Sequence, residues 1–154
     1  MSTLTSRAPF SGFPRTTELL GSLVLRSDPS SARLAREFTK VALSAGERGE
    51  VAASLVPVVS ELVTNSVVHR TGPFSASIHL RLLTCGTTVR LEVHDDEPAL
   101  PAPRTATSPN DESGRGLHIV AALTTRWGCF RTNTDKCVWC EIDAGARSTS
   151  GERS

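Results

Sequence analysis

Apolar residues recur along this chain with two different periods, and the switches between them mark the elements. From Leu20 to Arg26 the run is short and mostly apolar, as a strand is. Ser27-Asp28-Pro29 then supplies a capping residue followed by proline, an opening for a helix that carries Arg33, Leu34, Phe38, Val41 and Ala42 and ends at Gly46. A second helical period runs from about Glu50 to His69, with Leu55, Val58, Val59, Leu62 and Val63 on its apolar side. Pro57 falls inside it, where proline removes a backbone hydrogen bond and crowds the preceding turn, so a kink or a restart at Pro57 is expected.

After Thr71-Gly72-Pro73 the period changes to two. Ile78, Leu80 and Leu82 share one face of the run Ser75 to Leu83, and Val89, Leu91 and Val93 share one face of Thr87 to His94. Separated by Thr84-Cys85-Gly86, these runs predict an antiparallel hairpin with one buried side. Asp95, Asp96 and Glu97 follow, and then Pro98 to Asn110, whose Pro, Ala, Thr and Ser content predicts a long loop of the lid or binding type. Ser113-Gly114-Arg115-Gly116 leads into an apolar helix from Leu117 to Leu123, and Arg126 to Arg131 and Lys136 to Ile142 read as two closing strands. The ends lack any sustained period. The expected organisation is a flexible tail over 1–17, one domain over 18–143, and a flexible tail over 144–154.

Composition narrows the function classes. The 154 residues suit one domain with a real core. Seventeen basic against sixteen acidic residues leave a net charge of +1, which points to neither nucleic acid nor an anionic membrane as partner. The run Leu19 to Leu25 is too short and too interrupted for a signal or a membrane span, so a cytoplasmic protein is expected. Cys85, Cys129, Cys137 and Cys140 form no paired C-x-x-C framework, and Cys137 and Cys140, three apart in a strand, point to opposite faces; buried or idle thiols are expected.

The candidate chemistry lies on the second helix. Glu61, Asn65 and His69 are four apart and form a polar ladder beside the apolar stripe. An amide oxygen such as that of Asn65 suits a hard cation like Mg²⁺, and a carboxylate such as Glu61 can accept a proton from a nucleophile. By itself such a ladder is also what a solvated helix face looks like. Gly114-Arg115-Gly116 would put unhindered N–H groups at the positive end of a helix, either to bind phosphate or simply as a hinge. Asp95, at the end of the hairpin's apolar edge, is either a half-buried acceptor for an amine such as that of adenine or a turn-capping residue. The chain has no P-loop and no G-x-G-x-x-G, so a nucleotide site would be of another kind.

The order of these features is more specific than any one of them. Val59-Ser60-Glu61-Leu62-Val63-Thr64-Asn65-Ser66-Val67-Val68-His69 resembles the N box of the GHKL ATPase superfamily, and Ser113-Gly114-Arg115-Gly116-Leu117-His118-Ile119-Val120 resembles its second glycine box. Arg126-Trp127-Gly128 and Lys136-Cys137-Val138-Trp139 are similar to the closing strands of the small anti-sigma-factor serine kinases, in their actinobacterial branch. The resemblance covers roughly Leu20 to Ile142.

It implies a two-layer α/β sandwich, with a mixed, mostly antiparallel sheet covered on one face by three helices, and ATP with Mg²⁺ as cofactors. By position, it implies that Asn65 binds Mg²⁺, that Glu61 is the base for the attacking hydroxyl, that Asp95 takes the adenine amine, that Gly114 and Gly116 hold the phosphates with Arg115 adding charge near them, and that Leu117 belongs to the cofactor-binding residues. The activity implied is a protein serine/threonine kinase that holds a sigma factor and phosphorylates an anti-anti-sigma protein, with homodimerisation. One feature departs from the pattern. The superfamily's first glycine box reads Asp-x-Gly-x-Gly, whereas Asp95 is followed by Asp96, Glu97, Pro98 and Ala99, which bears on nucleotide affinity. An ATP-sensing module that binds a partner without phosphorylating it, and a free-standing ATPase, are the alternatives.

Overall fold

The computed structural model describes residues 17–45, 48–68, 77–96 and 112–144, the first four residues of the last segment by backbone only. In chain order the elements are β1 (Glu18–Arg26), α1 (Ser31–Ser44), α2 (Gly49–Val68), β2 (Ser77–Cys85), β3 (Thr88–Asp95), α3 (Glu112–Leu123), β4 (Arg126–Arg131) and β5 (Lys136–Asp143). The strands form one sheet in the order β1-β2-β3-β5-β4, and every neighbouring pair is antiparallel, in line with the mostly antiparallel sheet expected. The helices supply the second layer of an α/β sandwich. The loop expected over Pro98 to Asn110, Gly46, His69 and all but Thr17 and Ala144 of the expected tails lie outside the described residues.

The hairpin forms as its alternation predicts. Gly86, at a φ of 57°, turns β2 into β3, a left-handed conformation that glycine adopts without a Cβ penalty. Ile78, Leu80, Leu82, Val89, Leu91 and Val93 are all buried on one face, joined there by Val138 and Cys140 of β5. From the other side the core is closed by Leu55, Val58, Val59, Leu62 and Val63 of α2 and by Val120 of α3. By length and composition α2 could cross a membrane, and here that apolarity is what the core consumes. Pro57 lies inside α2 and the helix does not restart there.

The first helix opens differently from expectation. Asp28 does not cap it; its Oδ1 accepts hydrogen bonds from the Ser30 backbone N–H (2.8 Å) and hydroxyl (2.7 Å), a local turn that leaves Ser30 at the N-cap with no side-chain cap. The buried stripe is Ser31, Ala35, Thr39 and Leu43, while Leu34 and Val41 are 54% and 72% exposed. Helix α1 packs close to β1: a Cβ on Gly21 would stand 3.2 Å from the Phe38 ring.

The sheet's second face is not the solvated face expected of the hairpin. Arg90 is fully buried there, its Nε donating to Glu92 (2.9 Å) and its Nη1 to Glu141 (3.0 Å), with its guanidinium 4.3 Å from the centroid of Trp139. Arg126 extends the network to Glu141 (2.8 Å) and Asp143 (2.7 Å). Gly128 of β4 lies against the indole, where a Cβ would come within 2.9 Å of Trp139. Buried charges are tolerated because each one meets an opposite charge through a hydrogen bond. Cys85, Cys137 and Cys140 are free and buried and Cys129 is free and partly buried; burial pushes the Cys140 thiol up to about 12.

Burial alone would raise the Glu92 carboxyl, but hydrogen bonds from His94 and Arg90 outweigh it and hold the group at about 2, below the ordinary 4.5. The unfolded chain therefore takes up this proton first as pH falls. The stabilisation is complete above about 4.5 and is lost as pH drops toward 2. Urea unfolding of wild type and Glu92→Gln should differ by on the order of 3 kcal/mol near neutrality, with the gap closing through that acid window; a gap independent of pH would assign the difference to packing.

Candidate nucleotide site

Four elements converge at the C-terminal half of α2. Glu61 and Asn65 stand one helical turn apart, both half-buried, beside the apolar stripe that docks α2 on the sheet. Ser66 is buried on the neighbouring line of the helix; its hydroxyl donates to Asp95 Oδ2 at 2.6 Å and also lies 3.2 Å from the Leu62 carbonyl. Asp95 is the last residue of β3, and its parity with Val89, Leu91 and Val93 turns it toward the helices. It is 3% exposed, deeper than the half-burial expected, and the ammonium of Lys136, its partner in β5, stands 3.7 Å from Oδ1.

The glycine segment occupies a different place from the one expected. Helix α3 begins at Glu112, so Gly114 and Arg115 lie in its first turn instead of in a loop before it. A helix leaves its first four N–H groups without intrahelical partners, which covers the residues up to Gly114 and leaves Gly116 beyond them. The donors available to an anion are therefore those of the first turn, and Gly116 contributes close approach. A Cβ there would stand 2.9 Å from Glu61 Oε2 and 3.3 Å from Asn65 Nδ2. Glycine lets the α3 backbone lie directly on the polar ladder. Leu117, the next residue, is 3% exposed and packed inward.

The structure thus brings together Glu61, Asn65, Asp95 and Gly116, and sets Gly114 and Arg115 at the adjoining helix end. Two members were not expected. Ser66 had a signal, since it follows Leu62 by four residues and places a hydroxyl on the apolar stripe. Lys136 had one too, as the residue whose parity in β5 matches core-facing Val138 and Cys140.

These residues fit a purine nucleotide and a hard cation. Asn65 offers an amide oxygen beside the Glu61 carboxylate, and the first turn of α3 offers N–H groups and the positive end of a dipole. Ser66 fills one of the roughly four acceptor positions a carboxylate has, and Asp95 is the acceptor that an exocyclic amine requires. Ser66→Ala removes the hydroxyl that holds Asp95 and should lower stability by about 1–3 kcal/mol in urea unfolding. An unchanged midpoint would show that the carboxylate is held by other groups.

Comparison with known proteins places the fold. The chain is 34% identical over 87 residues to an uncharacterized protein of Streptomyces coelicolor, an alignment covering 54% of this chain and 79% of that one. The histidine kinase domain of the Erythrobacter litoralis EL346 blue-light activated histidine kinase superposes with a TM-score of 0.53 at 18% identity, over 94% of this chain and 76% of that one. A second structure of that kinase gives 0.51 at 23% identity over 65% of this chain, which spans only 32% of its length. At such identities the likeness is one of fold. Residues 25–142 match the model of the histidine kinase-like ATPase domain, and the chain belongs to that family.

Proposed function

We propose that this protein is an ATP- and Mg²⁺-dependent protein serine/threonine kinase of the anti-sigma-factor type, acting in the cytoplasm, which binds a sigma factor and phosphorylates an anti-anti-sigma protein. The observation that carries the reading is the seating of Gly116 against both Glu61 and Asn65. It puts a helix N-terminus, a carboxylate and a carboxamide within one small volume, beside a buried carboxylate suited to a purine.

Domains of this family bind ATP, typically with Mg²⁺. The bound nucleotide and cation supply the phosphoryl group and neutralise its charge. The chain's own residues do the rest. Asn65 would hold the cation through its amide oxygen, and Asp95, steadied by Ser66, would accept the adenine amine. The first-turn N–H groups of α3, those of Gly114 and its neighbours, would fix the phosphates, with Arg115 and Leu117 on the same helix. Glu61 would orient the acceptor hydroxyl and take its proton. Specificity for serine or threonine and the identity of the partners rest on the motif resemblance, as does a homodimeric form.

A second reading has its own support. Glu97 and Ala99 stand where the superfamily's first glycine box has its two glycines, and Asp95 is engaged by Ser66 and Lys136. Both favour a module that senses ATP and holds a partner without transferring phosphate.

Calorimetric titration with ATP, with and without Mg²⁺, tests the common element of both. Asn65→Ala should abolish the Mg²⁺-dependent part of binding, and Asp95→Asn should weaken ATP by about 1.5–3 kcal/mol, the worth of a hydrogen bond to a charged group. Glu61→Ala should keep binding and lose phosphate transfer; retained transfer would move the base elsewhere, and binding without any transfer in wild type would favour the sensing module.

Gly116→Ala separates site from scaffold. Alanine gains about 1 kcal/mol in helix propensity, and the nearest atom is the far end of the Glu61 side chain, which can swing away. Stability should stay within about 1 kcal/mol of wild type while the displaced Glu61 lowers turnover at least tenfold. Full turnover would show that this contact is dispensable.

A further inference from the structure

On the sheet face away from the helices, three strands align a row of potential metal ligands. His79 of β2, His94 of β3 and Cys137 of β5 are direct cross-strand neighbours, and Glu92 lies two residues from His94 on the same face. Donor atoms of Glu92, His94 and Cys137 all lie within 4.8 Å of one another. Tetrahedral bonds of about 2.0–2.3 Å put ligand atoms roughly 3.3–3.8 Å apart, so side-chain rotations that move the donors by about 1 Å would close the cluster on an ion.

The hydrogen bonding of His94 supplies a second observation. Its Nε2 lies 3.1 Å from Glu92 Oε1, and its Nδ1 lies 3.3 Å from Asp135 Oδ2. Both ring nitrogens thus face carboxylates, one of them Glu92 of the cluster itself. With a cation at Nε2, Nδ1–H would donate to Asp135, the carboxylate-histidine-metal arrangement that orients a ligating ring.

We propose that Glu92, His94 and Cys137 bind Zn²⁺, with Asp135 positioning His94 and an open fourth position bordered by His79. The ring of His79 is 6.1 Å from that of His94, centroid to centroid. The mixed N, O and S donor set excludes Mg²⁺ and Ca²⁺, which take oxygen, and suits a borderline ion. Glu92 binds through Oε1 and keeps its Oε2 contact with Arg90; Arg81, whose side chain is 39% exposed, gives up its 3.1 Å contact to Oε1 and turns outward. On binding, the Cys137 thiol loses its proton to solvent and a sulfur–zinc bond forms, with no change of oxidation state. The ion would tie β3 to β5 at the pair next to Asp95 and Lys136, on the reverse side of the strands that carry the nucleotide site.

The test uses full-length protein without an affinity tag, stripped with a chelator and titrated with Co²⁺ as a spectroscopic probe. The expected result is one equivalent bound, with a thiolate-to-cobalt charge-transfer band and the visible bands of tetrahedral Co²⁺, both abolished by Zn²⁺ and unaffected by Mg²⁺. Cys137→Ser should lose the charge-transfer band, His94→Gln should weaken Zn²⁺ at least tenfold, and Asp135→Asn should weaken it by about 10–100-fold. Cys129→Ser should change nothing. Circular dichroism checks that each variant is folded, and Asp135→Asn, in a partly exposed turn, keeps the test decisive should the buried Cys137 variant fail to fold. Absence of tight binding to wild type, a charge-transfer band that survives Cys137→Ser, or a Zn²⁺ affinity indifferent to Asp135→Asn would each overturn the assignment.

Discussion

Strand β3 lies in the middle of the sheet, paired to β2 and β5, and it buries both of its faces. Toward the helices it presents Val89, Leu91, Val93 and Asp95; away from them it presents Arg90, Glu92 and His94. Both sets must be satisfied at once, because a shift of one residue would exchange them and put Arg90 and Glu92 into the apolar core. The paired charges on one face and the aliphatic cluster on the other therefore hold the same register. With β3 in that register, Asp95 arrives at the helix-side end of the strand, where Ser66 and Lys136 meet it.

The helical layer transmits that register to the candidate site. Leu55, Val58, Val59, Leu62 and Val63 seat α2 on the sheet, and this fixes the rotation of the helix about its axis. Glu61 and Asn65 are consequently held at the flank of the contact, half-buried, instead of pointing to solvent or into the core. Helix α3 completes the arrangement by contact at Gly116, whose missing side chain sets the distance between its backbone and the polar ladder. The chemistry attributed to the site depends on those positions, and the positions depend on packing that has no chemical role.

Much was legible beforehand where a signal is local. Period-two alternation located β2, β3 and the face they bury, and the order of an N box, an aspartate after a hairpin and a glycine segment before a helix pointed to the family. The failures have a common cause: each depended on a neighbour distant in the chain. Leu34 and Val41 share the period of α1 with Phe38, yet they stay exposed while Phe38 is partly buried against Gly21 of β1. Gly114 and Gly116 read as the lead-in to a helix, for phosphate or as a hinge, yet the helix runs through them and Gly116 lies against Glu61 and Asn65 of α2.

The sequence by itself determined the element types, the apolar faces of the hairpin and of α2, and the spacing that stacks Asn65 on Glu61, because these follow from the geometry of single helices and strands. Only the tertiary structure decided what meets across elements: that Ser66 of α2 holds Asp95 of β3, that Arg90 joins Glu92 to Glu141 of β5, and that His94 stands between Glu92 and Asp135. Hydrogen bonds and ion pairs act over about 3 Å, and which groups come that close is set by sheet order and register, which no local period encodes.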